Sequence, residues 1–83
     1  MITDSNEVRT VNVLIFGATG GTGRALVEQA LVQGHAVTAF ARNPAKVRTK
    51  HPNLRVVEGN VLDPVSVEAA IRGHDAVLSA LGV

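Results

Sequence analysis

The sequence predicts a three-layer α/β/α protein on a parallel sheet, with elements in the order β-α-β-α-β-α-β. Three observations predict it. Short apolar runs rich in Val, Ile, Leu and Ala have the length of strands buried on both faces. They alternate with segments of helical period. Glycines and Asx-Pro pairs stand at the boundaries between the two kinds of segment. Strands that alternate with helices pair in parallel through right-handed crossovers. The expected strand order is 3-2-1-4, with the first two helices on one face and the third on the other.

The elements follow in order. Residues 1–10 are polar and aperiodic and read as a flexible tail, which leaves 11–83 as the domain. Residues 11–16 (Val-Asn-Val-Leu-Ile-Phe) form a first strand that stops at Gly17. From about 21 to 33, Leu26, Val27, Ala30 and Leu31 make one helical stripe, while Arg24, Glu28 and Gln29 lie off it. Gly34 ends that helix. Residues 36–41 are the second strand. Asn43-Pro44 reads as N-cap and first helical position, opening a short helix over 45–50 that ends at His51-Pro52. Residues 54–58 are the third strand. Asp63-Pro64 repeats the Asx-Pro device, and Val67, Ala70 and Ile71 form the stripe of a third helix closed by Gly73. Residues 75–80 are the fourth strand.

Composition narrows the function classes. A chain of 83 residues is one domain by size. Eight basic and seven acidic residues leave a net charge of +1, which is no footprint for nucleic acid or an anionic membrane. Phe16 and Phe40 are the only aromatic residues, so no stacking platform for single strands exists. Cysteine is absent, which removes disulfides, thiolate metal sites and a cysteine nucleophile. No apolar run approaches the length of a bilayer span, and no secretory signal opens the chain. A soluble, cytoplasmic protein is expected.

The strongest motif is Gly17-Ala18-Thr19-Gly20-Gly21-Thr22-Gly23, placed between the first strand and the first helix. Binding a phosphate needs backbone N–H groups brought close, and side chains keep backbones apart. Gly17 turns off the strand, Gly20 admits a pyrophosphate, and Gly23 lets helix and strand approach. Gly21 adds a further bare position, and the hydroxyls of Thr19 and Thr22 add donors. The N–H groups and the positive end of the helix dipole then face the anion. The spacing is G-x-x-G-x-x-G, one residue longer in its first gap than the simplest dinucleotide fingerprint. It is not G-x-x-x-x-G-K-[ST], so a nucleotide hydrolase has little support.

The tip of the second strand meets the adenine ribose in dinucleotide-binding folds, where an acid selects a 2′-hydroxyl and a base accommodates a 2′-phosphate. Here it reads Ala41-Arg42-Asn43 with no acid nearby. Arg42 presents a fork of donors suited to phosphate. NADP(H) is therefore expected over NAD(H). Lys46 and Arg48 read first as a solvated helix face and second as an electrostatic aid to Arg42. Asn60-Val61 follows the third strand and is placed to meet adenine, and Leu81-Gly82 follows the fourth, placed under the adenosine or nicotinamide ribose. Asn60 also suits a turn-stabilising Asx role.

Together, Ile15 through Gly23, Arg42, the run Val57-Glu58-Gly59-Asn60-Val61-Leu62-Asp63, and His74-Asp75-Ala76-Val77 leading to Leu81-Gly82 resemble the atypical short-chain dehydrogenase/reductases. Within these the chain resembles the NmrA-like, NAD(P)H-binding Rossmann domain, most of all the biliverdin-IXβ/flavin reductase branch. The resemblance implies that Gly17, Thr19, Gly20 and Thr22 hold phosphates, Arg42 the 2′-phosphate, and Asn60-Val61 the adenine. The family usually has Asp where this chain has Asn60, so here the side chain keeps hydrogen bonding but loses its charge. The implied activity is an NADPH-dependent reduction of a flavin, quinone or similar small molecule. The alternative is a non-catalytic NAD(P)-sensing regulatory module.

No catalytic or metal residue is assigned. The family's fold continues beyond the fourth strand, and its Ser/Tyr/Lys groups lie there; this chain has no tyrosine. Ser79 within the fourth strand reads as packing. His35, His51 and His74 have no metal-site spacing. Whether the 83 residues act as an enzyme by themselves is left open, because walls for a second substrate are missing. The fourth strand is expected at an apolar sheet edge, Ala76-Val77-Leu78-Ser79-Ala80, open to a homodimer or a domain swap.

Overall fold

A computed structural model describes residues 10–80. The strands are β1 (Asn12–Phe16), β2 (Ala36–Ala41), β3 (Leu54–Glu58) and β4 (Ala76–Ser79); the helices are α1 (Gly21–Val32) and α2 (Pro64–Ile71). All strand pairings are parallel, in the order β3-β2-β1-β4. The order and fold class are those expected from the sequence.

The two inner strands carry the core because both their faces are covered. On one face, Val13, Ile15, Val37 and Ala39 pack against Val27, Ala30 and Leu31 of α1. On the other, Leu14, Phe16 and Phe40 meet Val67 and Ala70 of α2. Phe16 and Phe40 are register partners across β1 and β2. Their rings stack edge to face with centroids 5.0 Å apart, a favoured aromatic geometry. The outer strands are far more exposed: Val77 and Leu78 of β4 retain about 40% of their accessibility (42% and 39%).

Two expectations need correction. The helix expected over 45–50 is a 3-10 turn, Pro44–Lys46, and the chain is extended again at Val47. Asn43 does cap it, accepting from the Ala45 N–H at 3.2 Å. Beyond Lys46, β-branched Val47 and Thr49 favour extended backbone, and Pro52 disfavours helix in the residue before it. Val47 is the single apolar anchor there, packing on the α1 face of the core. Ile71 is the second correction: at 42% exposure it lies off the half-buried stripe that Val67 and Ala70 form on α2.

Candidate functional site

β1, β2 and β3 end side by side. Phe16 pairs with Phe40, and Ala41 with Glu58, so the loops after these strands emerge at one edge of the sheet. That edge receives the glycine loop, Arg42 and Asn60-Val61.

The glycines of the loop divide into two kinds. Gly17 has φ +77, a left-handed turn that side chains disfavour. Gly23 is buried, and a Cβ there would overlap the Gly17 carbonyl and lie 2.8 Å from Ala18 Cα. Both are required by the protein's own backbone. Gly20 and Gly21 are not. Gly20 has ordinary extended dihedrals, and the nearest atom to its Cβ would be 3.9 Å away; a Cβ on Gly21 would meet nothing within 4 Å. The space they leave lies outside the protein, in front of α1.

The start of α1 is also open electrically. The Gly20 N–H bonds the Gly17 carbonyl at 3.3 Å, and the first helical bond runs from Arg24 N–H to the Gly20 carbonyl at 2.9 Å. The N–H groups of Gly21, Thr22 and Gly23 precede that bond and have no intrahelical acceptor. No side chain caps them, and the first turn carries no acid. Thr19 and Thr22 are exposed beside them. A bare, glycine-lined helix N-terminus of this kind suits a diphosphate.

A cavity of about 310 Å³ joins this loop to the next two strand ends. Gly17, Thr19, Arg42, Asn60 and Val61 line it, with Phe40 as an apolar wall. The Asn60 side-chain oxygen accepts from the Leu62 N–H at 2.9 Å, so it holds the turn. Its amide nitrogen makes no hydrogen bond among the described residues. Gly20, Gly21, Thr22 and Gly23 flank this cavity's glycine wall without lining it. Leu81 and Gly82 lie outside the described residues. A second recess of about 570 Å³ shares Thr19 and is lined by Arg24, Ala45, Lys46 and Arg48. Arg24 lies off the apolar stripe, so helical periodicity does not mark it as a site residue. Phe40 is hidden among core residues in the same way.

The histidines serve the fold, two on backbone and one on a side chain. His35 Nδ1 accepts from Val11 N–H at 3.2 Å, and His51 Nδ1 from Asn53 N–H at 3.0 Å. His74 Nε2 lies 2.9 Å from Thr38 Oγ1. Ser79 stands in β4 beside Phe16. Among the described residues no group of three His, Asp or Glu gathers as a metal site, and no helix is long and apolar enough to cross a membrane.

A parallel sheet, an open glycine-rich helix start and a cavity across the strand ends define a dinucleotide-binding Rossmann domain. The NAD(P)H-binding family model matches residues 17–83. The chain belongs to that NAD(P)H-binding family, of short-chain dehydrogenase/reductase type. It is 39% identical over 82 residues to an uncharacterized chloroplastic protein of Arabidopsis thaliana, covering 93% of this chain and 29% of that one. It is 37% identical over 71 residues to the photosystem II assembly factor Ycf39 of Synechocystis, covering 84% of this chain and 22% of that one. The enzyme WbmH of Bordetella bronchiseptica, solved in complex with NAD+, superposes with a TM-score of 0.78 at 27% identity, over 90% of this chain and 27% of its own. The chain thus spans about a quarter of these relatives' lengths.

Proposed function

We propose that this chain is the NADP(H)-binding portion of a short-chain-type oxidoreductase that reduces a flavin, quinone or similar small molecule. The observation that carries the reading is the uncapped start of α1. Gly17, Thr19, Gly20, Gly21, Thr22 and Gly23 would hold the pyrophosphate. Arg42 would meet the 2′-phosphate, Asn60 and Val61 the adenine, and Leu81 and Gly82 the adenosine or the nicotinamide ribose. When bound, the nicotinamide supplies the hydride; the residues described here bind and orient it.

The test of cofactor choice is titration of the chain with NADPH and NADH, before and after Arg42→Asp. Wild type is expected to prefer NADPH, and the variant to lose that preference by about 10-fold or more, the worth of a charge-assisted contact. Equal binding of both dinucleotides by wild type contradicts the assignment. A second reading, a non-catalytic dinucleotide-sensing module, draws on the relative named as an assembly factor. Turnover of a flavin or quinone with NADPH separates the two. The exposed face of β4, with Val77 and Leu78, supports association as a homodimer through that edge. A monodisperse monomer by light scattering would remove that part of the proposal.

A further inference from the structure

Gly59, just after β3, is glycine for want of space. The positive φ angles among the described residues belong to Gly17, Gly34 and Gly73, so the backbone at Gly59 does not demand glycine. Its surroundings do. A Cβ there would overlap the tip of the Phe40 ring, at Cζ and Cε2, and lie 2.7 Å from Ser66 Oγ. The Gly59 N–H donates to the Ala41 carbonyl at 3.0 Å, which draws this backbone onto the end of β2. A side chain at this position must therefore move the ring.

That ring is a wall between two cavities. Phe40 lines the cavity of about 310 Å³ that holds Arg42, Asn60 and Val61. It also lines a cavity of about 340 Å³ under α2, with Thr38, Val57, Ala70 and His74. Phe16 supports the ring edge to face, at 5.0 Å between centroids, and Gly59 lies at its tip. With open space on two sides, the ring has somewhere to go when its tip is pushed. We propose that Gly59 is a positioning residue for adenine: by staying bare it lets the Phe40 ring stand as the wall against which the base lies. An aromatic wall gives a purine a broad apolar contact. The proposal rests on the dinucleotide reading above and adds a residue that acts on the base, through Phe40.

The experiment titrates the full chain with NADPH, NADH, 5′-AMP and inorganic pyrophosphate. The proteins are wild type, Gly59→Ala, Phe40→Leu and the double variant, each checked by thermal denaturation. Gly59→Ala is expected to weaken NADPH, NADH and 5′-AMP together by about 10-fold, the scale of one base contact, with the NADPH-to-NADH ratio and pyrophosphate affinity within about twofold of wild type. Phe40→Leu removes the ring tip and makes room for the added methyl. In that background Gly59→Ala is expected to cost under about twofold, because both changes act on one contact. Phe40→Leu by itself withdraws the wall and should raise affinity for etheno-AMP, whose base carries an extra ring, by about fivefold relative to 5′-AMP. Loss of stability does not produce such a change in base selectivity, and it is read even if Gly59→Ala fails to fold. The proposal is overturned if folded Gly59→Ala binds 5′-AMP like wild type or weakens it equally in both backgrounds. It is also overturned if Phe40→Leu leaves base selectivity unchanged. In each of these cases wild type still binds NADPH and the cofactor reading stands. If wild type binds neither NADPH nor 5′-AMP, both fall.

Discussion

The two α-helices begin in opposite ways. α2 is closed by its own sequence: Asp63 accepts from the Val65 N–H at 3.1 Å, and Pro64 has no N–H to leave unsatisfied. The 3-10 turn before it uses the same device through Asn43 and Pro44. α1 has glycine where α2 has Asp63, no side-chain cap, and no acid in its first turn. Both helices face the same problem of orphan N–H groups. One solves it internally and the other leaves it open. On the proposed reading, the difference separates a helix start that serves the fold from one that serves a ligand. It also explains why two glycines of the loop are dispensable to the protein's own packing.

The comparison is broken most severely at Gly23. Gly23→Val drives side-chain atoms into the Gly17 carbonyl, and a loss of about 3 kcal/mol in chemical denaturation is expected from such overpacking. NADPH binding should vanish with it. Asp63→Ala removes the α2 cap and should cost about 1 kcal/mol of stability, with NADPH affinity within about twofold. Were NADPH binding to collapse there, the two helix starts would not be functionally separate. Asn43→Ala should cost less, about 0.5 kcal/mol, because the turn it caps has only three residues.

Much of this was readable from residue order. Alternating short apolar runs and helical stripes define the parallel sheet and its order, and the glycine spacing marks the loop proposed to hold phosphate. What escaped reading depends on distance in three dimensions. The turn at Pro44–Lys46 does not extend because Val47, Thr49 and Pro52 act against a helix that has one apolar anchor to bury. Arg24 and Arg48 look like separate solvated residues until the fold brings them to one recess. Asn60 combines a turn-holding oxygen with a cavity-lining position, a division of labour that residue type alone does not reveal.

The most direct test converts the start of α1 into that of α2. Gly20 has the extended dihedrals of an N-cap and room for a Cβ, so Gly20→Asp fits without clash. Stability by denaturation and NADPH affinity by calorimetry are measured on the same protein. The carboxylate should cap the open N–H groups and raise stability by about 0.5 kcal/mol, while repelling the pyrophosphate and weakening NADPH by about 100-fold or more. A variant that gains stability and still binds NADPH like wild type would contradict the claim that the open start of α1 holds the dinucleotide.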